Sequence, residues 1–423
     1  MSRATLVRDS IWGDIMLQEA DLALVDTPAF QRLRRVRQLG FTDLVFPGAH
    51  HTRFEHCLGV LHLATLVADR LRDLPGVPSI TEQDRRTFRA AALLHDIGHY
   101  PFSHAVEELE MAQVRDHEGL AVEQVLSPPV ATILSEVWDV DPVQVAWMIT
   151  GGEGGDDCSP GLRLLRPALD SGLDVDKLDY LVRDAKGANV PYGMVDVQRL
   201  IGALEVGDGA RLAIGLKGVA ALQALVFAKY LMFATVYWHH ACRAAVVMLL
   251  RALQEALGEG ALEPSELERA DDASLVALLR SAEMPAATRH LGQRLLDRQL
   301  YKRALELGVG DPGFALLQDL WSKPSRRLAV EDRWAEALSA APGSVLIDVP
   351  EPKAIGSGLL PVIEDGRLVA WDDASSLATT DLARFEGWAR RIRVFAASPE
   401  LAGAVHDRRD ELLTDLPVPQ TSG

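Results

Sequence analysis

Apolar residues recur along most of the chain at the three- and four-residue spacing of amphipathic helices. In the segment 28–38, Phe30, Leu33 and Val36 fall on one side of such a helix. Further segments with a helical pattern are 58–71, 87–97, 107–126 (one or two helices), 174–184 and most of 217–257. These patterns predict a protein that is mainly α-helical.

The pattern changes after about residue 340, where β-branched residues become frequent. The predicted elements there are strands at 344–349 and 392–396, a hairpin of 359–363 and 368–371 around Glu364-Asp365-Gly366, and helices at 384–391 and 399–413. We therefore expect a helical core over residues 1–305 and a smaller α+β lobe over residues 306–423. The last residues, LPVPQTSG, are typical of a frayed tail.

The composition is that of an ordinary globular protein, with 423 residues of which 48% are hydrophobic and 24% charged. The formal net charge of −17 makes nucleic acid a disfavoured partner, because nonspecific binding to nucleic acids depends on a basic surface. An anionic substrate is compatible with this charge only where local cations or a metal oppose it.

Several features favour a cytoplasmic protein without a membrane span. The N-terminal residues run into polar sequence without the apolar stretch of a signal peptide. The three cysteines form no CxxC pair, which fits a reducing compartment. The most apolar long segment, 218–250, is interrupted by Lys229 and Arg243 and is therefore expected to form buried helices.

Histidines are concentrated in one part of the chain. Eight of the twelve lie between positions 50 and 117: His50, His51, His56, His62, His95, His99, His104 and His117. A single histidine is most often a surface or satisfied core residue, but this density in a helical region indicates metal binding or proton transfer.

Three short segments carry the chemistry that the histidines suggest. They are HHTRFEH (50–56), AALLHDIGHYPFSH (91–104) and GLDVDKLDYLVRD (172–184). In the second, an apolar helix delivers His95 and Asp96 side by side, and mixed histidine and carboxylate ligation suits Fe, Mn, Zn or Co. In the third, Asp176, Tyr180 and Asp184 lie on one helical face. Solvated, charged helix faces are the alternative interpretation of the first and third segments.

Together these segments resemble the H…HD…D pattern of the HD phosphohydrolases. More closely, they are similar to the branch that contains the sterile-alpha-motif/HD-domain dNTP triphosphohydrolases and their bacterial dGTPase-like relatives. Two further segments, HEG (117–119) and VYWHHACRAA (236–245), share this similarity. It extends over about residues 5–305 and more weakly through the final lobe, and the sterile alpha motif itself is absent.

The resemblance implies a metal centre and a group for proton transfer. The implied metal ligands are His56, His95, Asp96 and Asp176. The residue implied for acid/base work at the phosphoester is His117. The implied neighbours in the active site are His99, His104 and Glu107, the last of which stands where the family usually has aspartate. Additional Mg is expected with the substrate phosphates.

The resemblance also implies how a nucleotide would be held. The implied phosphate contacts are Arg53 and Lys177, with Lys229 standing near the position of a family arginine. The implied contacts to the sugar 3′-hydroxyl are Gln38 and Asp184. The implied walls that leave no room for a 2′-hydroxyl are Leu39, Tyr180 and Tyr237. Phe233 stands near the position of a base-pocket histidine.

An activator site for a guanine nucleotide is matched only in part. The residues that match it are Asp26, Gln31 and Arg34. The residues that differ from the family pattern are Thr5, Arg8 and His240. We therefore expect activity without strict dependence on an activator. A simpler interpretation is that this segment is a helix N-terminus capped by Thr27 with Pro28 at the first helical position.

Three functions are compatible with the sequence. The first is metal-dependent hydrolysis of deoxynucleoside triphosphates to deoxynucleoside and tripolyphosphate by a homo-oligomer, as the resemblance implies. The second is hydrolysis by the same fold of a nucleoside monophosphate, guanosine tetraphosphate or an end of single-stranded nucleic acid. The third is a non-catalytic nucleotide-binding regulatory module, which the intact residue types at the four ligand positions and at His117 disfavour.

Overall fold

The computed structural model of the chain describes residues 4–74, 77–152, 155–352, 358–376 and 379–416. Within these residues it contains 22 α-helices, nine strands and several short 3-10 turns. The protein is therefore mainly α-helical, as predicted. Residues 417–423 of the predicted tail lie outside the described residues.

The chain starts with an antiparallel hairpin, which is absent from the predicted elements, and with two short helices. These elements are β1 (Thr5–Asp9), β2 (Gly13–Leu17), α1 (Glu19–Val25) and α2 (Pro28–Arg32). Thr27 caps α2 as predicted, because its side-chain oxygen accepts the backbone N–H of Phe30 at 3.4 Å.

The helix predicted over 28–38 is wrong in its length. After α2 the chain tightens into a 3-10 turn, Leu33–Arg35, and then extends. Arg37 pairs with Thr52 in an isolated antiparallel bridge, which is incompatible with continued helix. A second 3-10 turn, Gly40–Leu44, follows. Gln38 and Leu39 therefore lie in an irregular segment between the two turns.

Nine helices follow and form most of the core. They are α3 (Arg53–Arg72), α4 (Glu82–Leu94), α5 (His104–Glu107), α6 (His117–Leu126), α7 (Val130–Glu136), α8 (Pro142–Thr150), α9 (Pro160–Leu165), α10 (Val175–Ala188) and α11 (Val197–Gly202). Short 3-10 turns at Gly155–Asp157 and Arg166–Ala168 accompany them. Helix α3 packs against both α4 and α10, and these three helices position the residues expected to be metal ligands, His56, His95, Asp96 and Asp176.

The next part of the chain is again mostly helical, as predicted for 217–257. Its elements are β3 (Leu204–Gly207), a 3-10 turn (Asp208–Ala210), β4 (Arg211–Gly215), α12 (Leu216–Met232), a π-helical turn (Phe233–Tyr237), α13 (His240–Gly258), α14 (Pro264–Arg269), α15 (Asp272–Leu279) and α16 (Ala286–Leu296). The helical stretch Leu216–Tyr237 is long and apolar enough to cross a membrane by length and composition alone, and 39% of its most apolar window is buried. Buried helices of globular proteins meet the same description.

The C-terminal part combines strands and helices. Its elements are β5 (Lys302–Leu307), α17 (Pro312–Leu317), a 3-10 turn (Gln318–Ser322), α18 (Pro324–Ala337), β6 (Val345–Asp348), β7 (Val362–Glu364), β8 (Arg367–Val369), α19 (Trp371–Ala374), α20 (Thr379–Ala389), β9 (Ile392–Ala396), α21 (Pro399–Asp407) and α22 (Arg409–Thr414). Strand β9 lies in the middle of a three-stranded antiparallel sheet, between β5 and β6. The helix predicted over 399–413 is divided in two at Arg408.

The predicted hairpin exists as β7 and β8, but it does not join the sheet of the lobe. Instead β7 pairs in parallel with β4, so that the hairpin extends a four-stranded sheet of order β3-β4-β7-β8. The buried residues around β5, β6 and β9 form a separate apolar cluster with α17, α18, α21 and α22. The chain therefore enters the lobe, returns to the core with β7 and β8, and enters the lobe again with β9.

Candidate active site

Four side chains from α3, α10 and the turn after α4 meet at one point at the edge of a cavity. His56 lies on α3, His95 and Asp96 follow α4, and Asp176 lies on the first turn of α10. His56 Nε2 is 3.0 Å from Asp176 Oδ1 and 3.6 Å from Asp96 Oδ2. His95 Nε2 is 3.5 Å from Asp96 Oδ1 and 3.7 Å from Asp176 Oδ1. The structure thus brings together the four residues that the sequence suggested as metal ligands.

The end of α4 explains how two adjacent residues face the same point. The helix was predicted to continue to residue 97, but it ends at Leu94, and His95 is its C-cap. Asp96 lies in the following turn, where the His99 backbone N–H donates to the Asp96 carbonyl at 3.1 Å. Gly98 lets this turn approach α6, because a Cβ there would lie 2.3 Å from the His117 carbonyl oxygen. The turn, rather than a helix face, directs both side chains inward.

Outer hydrogen bonds fix the orientation of the two imidazoles. His56 Nδ1 lies 2.8 Å from Asp179 Oδ2, and His95 Nδ1 lies 2.9 Å from the carbonyl oxygen of Ala92. A carbonyl only accepts, so His95 carries its proton on Nδ1 and presents Nε2 as a lone pair. The Nε2 atoms of His56 and His95 are buried and have no hydrogen-bond partner among the described residues.

Asp179 was not suggested by the sequence, although it lies only three residues after Asp176. It is fully buried, and Arg183 donates to it from Nε and Nη2 at 2.8 and 2.9 Å. Trp12 Nε1 donates to it at 2.5 Å. Gly59 on α3 makes this approach possible, since a Cβ there would lie 1.9 Å from Asp179 Oδ1. Its spacing along α10 is the one signal that could have identified it.

The charges of this cluster are those of a cation-binding site. Burial lowers the pKa of His56, but Asp176, Asp179 and Asp96 outweigh burial and raise the pKa of His56 to about 10. Burial raises the pKa of Asp176, but the nearby imidazoles of His56 and His95 hold it well below its usual value. The carboxylates therefore stay ionised and demand positive charge at this point.

The residues present fit a divalent transition metal. Two buried, unpartnered imidazole nitrogens face two ionised carboxylates, and this mixed donor set suits Fe, Mn, Zn or Co. His56, His95, Asp96 and Asp176 would hold the ion. Four protein ligands leave positions for water and substrate at a metal that takes five or six ligands.

A second cluster lies next to the first and contains His99, His104, Glu107 and His117. The Asp96 Oδ1 atom is 3.1 Å from His99 Nε2, and the His99 ring stacks on the His117 ring with centroids 3.9 Å apart. Glu107 contacts His117 Nδ1 through a short hydrogen bond, and His104 Nδ1 lies 2.9 Å from its other oxygen. One carboxylate thus holds two histidines.

The surroundings shift the pKa values of the stacked His99 and His117 rings in opposite directions. Burial, together with Arg53 and His117, holds the pKa of His99 well below its usual value. Burial also lowers the pKa of His117, but Glu107 outweighs it and raises the pKa of His117. Glu107 itself stays ionised, because the two histidines outweigh burial and lower its pKa. The geometry therefore favours a neutral His99 beside a His117 that can carry a proton.

Two cations lie where the phosphate contacts were expected. Arg53 is buried; its guanidinium contacts Asp96 through a short hydrogen bond, and its Nε donates to Ser103 Oγ at 3.0 Å. Lys177 Nζ donates to Asp174 Oδ2 at 2.6 Å. Both side chains line the same cavity as Asp176. Ser103 was not suggested by the sequence.

That cavity has a volume of about 530 Å³ and collects most of the predicted substrate residues. The predicted site residues on its surface are Gln38, Leu39, Arg53, His104, Glu107, Asp176, Lys177, Tyr180, Asp184, Lys229 and Tyr237. The predicted residues Asp26, Gln31 and Arg34 are not among its lining residues. They lie near one another around α2, where Gln31 Nε2 donates to the Val25 carbonyl and Arg34 Nε donates to Gln31 Oε1, each at 2.8 Å.

The expected sugar region is fixed by a short chain of hydrogen bonds. Tyr237 Oη donates to Asp184 Oδ2 at 2.8 Å, and His51 Nε2 lies 2.8 Å from Asp184 Oδ1. Tyr237 is on the π-helical turn, a departure from regular helix that is frequent at functional sites. His51, which the sequence analysis had only counted among the clustered histidines, thus orients Asp184.

The far side of the cavity belongs to the C-terminal lobe and was not predicted. The residues that this lobe contributes are Trp321, Arg327, Val349, Pro350 and Glu351. Glu108 and Arg243 lie between the two sides, and Arg243 donates both to Glu108 at 2.6 Å and to buried Asp348 of β6 at 2.6 Å. A buried ion-pair network therefore connects α5, α13 and the lobe sheet.

Comparison with known proteins agrees with this geometry. The chain matches the HD domain over residues 53–149 and the HD associated region over residues 195–417, and the second match alone covers just over half of its length. A crystal structure of a hypothetical protein from Aquifex aeolicus is similar, with a TM-score of 0.74, 26% identity and coverage of 95% of this chain and 99% of that one.

Named and uncharacterized relatives are also similar. An uncharacterized protein of Methanocaldococcus jannaschii is 29% identical over 98% of this chain and 84% of its own length. The deoxynucleoside triphosphate triphosphohydrolase SAMHD1 homolog of Dictyostelium discoideum is 29% identical over 72% of this chain and 60% of its own length. The SAMHD1 protein of Gallus gallus is 29% identical over 59% of this chain and 45% of its own length. The chain belongs to the HD-domain phosphohydrolases that carry an HD associated region.

Proposed function

We propose that the protein hydrolyses deoxynucleoside triphosphates to a deoxynucleoside and tripolyphosphate. The observation that carries this proposal is a single cavity in which Asp176, Lys177, Tyr180 and Asp184 follow one another along α10. Along the helix these residues are a metal ligand, a cation, an aromatic ring and a hydrogen-bond acceptor. This order matches that of a nucleotide from its phosphates to its sugar. The relatives named as deoxynucleoside triphosphate triphosphohydrolases support the same substrate class.

The triphosphate end is held by charge. A divalent metal, which His56, His95, Asp96 and Asp176 would hold, would supply positive charge near the phosphates and lower the pKa of water. Arg53 and Lys177 add two cations in a protein whose net charge is −17. These groups neutralise the substrate locally, where the protein as a whole would repel it.

The reaction adds water across the bond between the α-phosphorus and the 5′ oxygen, and the departing deoxynucleoside takes up one proton. His117 is suited to supply it, because Glu107 occupies Nδ1 and raises the pKa of the ring. Nε2 is then the nitrogen that gives the proton. Glu107 keeps this ring in a fixed orientation and stabilises its charged form.

The sugar end selects deoxyribose. Tyr180 and Tyr237 line the cavity together with Asp184, and the hydroxyl of Tyr237 donates to that carboxylate. A 2′-hydroxyl placed against the apolar faces of these rings would lose its hydrogen bonds to water, because ring carbons offer no replacement. Such a loss costs about 1–3 kcal/mol, which corresponds to roughly tenfold to a hundredfold discrimination.

Product analysis tests the proposal directly. Purified protein is incubated with Mn²⁺ or Fe²⁺ and with each dNTP and NTP, and the products are separated by ion-exchange chromatography. We expect tripolyphosphate and deoxynucleoside from dNTPs. Release of pyrophosphate, of single phosphate groups, or of nothing from any dNTP would contradict the proposal, and turnover of a nucleoside monophosphate or guanosine tetraphosphate alone would point to the same fold acting on another nucleotide.

A further inference from the structure

One buried arginine at the lobe side of the cavity lacks the hydrogen-bond acceptors that buried arginines normally have. Arg327 on α18 is 4% exposed and lines the cavity. Nine arginines are buried within the described part of the chain: Arg32, Arg53, Arg89, Arg183, Arg243, Arg251, Arg327, Arg390 and Arg393. Eight of them donate side-chain hydrogen bonds to protein acceptors. Within the same residues Arg327 has neither a side-chain hydrogen bond nor an ion pair within 4 Å.

Burial raises the pKa of Glu331, four residues later on α18, to about 7, and the charge of Arg327 opposes this shift, so the two side chains compensate each other in part through space. A buried guanidinium without a hydrogen-bond acceptor is still costly, because it has lost its hydrogen bonds to water. The neighbouring Arg326 shows the ordinary alternative, since its Nη1 donates to Asp319 at 2.9 Å. Arg327 differs in lining a cavity large enough for a nucleotide. A ligand in that cavity can supply the acceptors that the protein withholds.

The position of Arg327 identifies the part of the ligand that it meets. The metal ligands, Arg53 and Lys177 provide for the phosphates on the core side, and Tyr180, Asp184 and Tyr237 provide for the sugar. The lobe side, which contains Arg327, is then left for the base. The surroundings agree, because Trp321, Val349 and Pro350 give this end an aromatic and apolar lining.

The charges nearby argue against a second phosphate at this end. Glu110 and Glu351 line the same part of the cavity and would repel a phosphate group. Burial and Glu351 raise the pKa of Glu110, while Arg327 lowers it, so both Glu351 and Arg327 lie within electrostatic range of Glu110. A neutral group that offers acceptors to arginine and donors to carboxylates fits this set better.

We propose that Arg327 is a specificity-determining residue that donates hydrogen bonds to O6 and N7 of a 6-oxopurine base. The inference rests on the proposed function and extends it to the base. Arginine pairs with the adjacent O6 and N7 acceptors in a bidentate manner, whereas adenine presents an amino group in place of O6 and opposes the guanidinium with a donor. Glu110 and Glu351 then accept from the N–H groups at N1 and, in guanine, at the 2-amino group.

The test uses a matched pair of substrates and a matched pair of variants. The substrates dITP and dATP differ only at C6 and in the N1 proton that follows from it. The variants are Arg327→Met and the control Arg326→Met, one residue earlier on the same helix. In the unmodified protein we expect kcat/KM for dITP to exceed that for dATP by about tenfold, the size typical of a good bidentate contact.

Arg327→Met is expected to bring this ratio close to one by lowering turnover of dITP and dGTP, with dATP little affected. Arg326→Met is expected to keep the ratio. A dITP preference that survives Arg327→Met, or equal turnover of dITP and dATP by the unmodified protein, would overturn the inference while leaving dNTP hydrolysis standing. Arg327→Lys and a thermal melt of each variant distinguish a lost contact from a poorly folded lobe.

Binding of a ligand without phosphates separates this inference from the proposed reaction. Calorimetry with deoxyguanosine and deoxyadenosine requires no turnover. We expect tighter binding of deoxyguanosine, abolished by Arg327→Met and retained by Arg326→Met. Equal binding of the two deoxynucleosides would overturn the inference, whereas the expected preference in a protein that cleaves no dNTP would uphold the base site and reject the proposed function.

Discussion

The two sides of the cavity are built in different ways. The core side takes its four expected metal ligands from three short segments, in α3, in the turn after α4 and in α10, and each segment has several histidine or acidic residues close together. The lobe side takes ordinary residues from the region 321–351, spread over a 3-10 turn, a helix and the end of a strand. The comparison shows that a sequence indicates a site when its residues are of scarce types and lie close together in the chain. A side of a cavity that consists of ordinary residues from distant segments cannot be recognised in the same way.

The largest expected effect is on the core side. His95→Ala or Asp96→Ala removes a ligand from the metal-type cluster, and we expect loss of bound metal and of turnover, at least about a hundredfold. Metal content by mass spectrometry and dNTP hydrolysis check this. His290→Ala, which alters an exposed histidine on α16, is the control and is expected to retain both. Full activity after Asp96→Ala would show that the reaction does not take place at this cluster.

The connection between the two sides is the next target. Arg243→Met removes the guanidinium shared by buried Asp348 and partly exposed Glu108, and Arg393, 3.7 Å from Asp348 Oδ2, compensates only part of the loss. Breaking a buried ion pair costs about 3–5 kcal/mol. We expect the free energy of unfolding to fall by this order, measured by chemical denaturation. Arg269→Met on the surface of α14 is the control. Adding Asp348→Asn to Arg243→Met should recover part of the loss, and an unchanged free energy in Arg243→Met would show that the two sides are joined in another way.

A change in the second cluster, which contains His99, His104, Glu107 and His117, should lower activity less than loss of a metal ligand. Glu107→Gln removes the charge that outweighs burial at His117, so the pKa of His117 falls. Because the reaction needs the protonated ring, activity is then lost at a lower pH than in the unmodified protein. We expect the alkaline limb of the kcat profile to move to lower pH and kcat at neutral pH to fall by about a hundredfold. Glu123→Gln on the surface of α6 serves as the control, and an unmoved alkaline limb would contradict this role of Glu107.

Sugar selection is expected to give the smallest change. Tyr237→Phe removes the hydrogen bond to Asp184 but keeps the ring, whereas Tyr237→Ala opens the wall. The unmodified protein should prefer dNTPs over the matching NTPs by at least about tenfold. Tyr237→Phe should keep that preference, and Tyr237→Ala or Leu39→Gly should narrow it by admitting NTPs. A parallel fall of both activities in Tyr237→Ala would instead mark Tyr237 as a packing residue.

Much of the core could be predicted because its signals are local. The helical periodicity located α3, α10 and the long helical stretch after residue 216, and the strand at 392–396 was placed at its observed bounds. The predicted helices failed at their ends. The helix over 28–38 stops early because Arg37 bridges to Thr52, and α4 stops at Leu94 because the following turn packs tightly on α6 through Gly98. Such contacts join residues far apart in sequence, and local periodicity contains no information about them.

The supporting residues of the site were missed for a related reason. Asp179, His51 and Ser103 do not differ in type from surface residues, and only their burial beside a ligand or cation gives them a role. Asp272 is a further example. It accepts the backbone N–H groups of Arg37 and Phe102, and so holds together two loops that carry site residues. Its pKa is raised to about 6 by burial.

The strand order of the lobe sheet has a consequence for how the protein is made. Strand β9 ends at residue 396 and lies between β5 and β6, so this sheet cannot assemble until the ribosome has released nearly the whole chain. The helices that carry the metal-type residues are all complete by residue 188 and can pack during synthesis, which proceeds at about 5–20 residues per second. During synthesis the helices that hold the expected metal ligands can therefore fold seconds before the lobe side of the cavity, which would recognise the base.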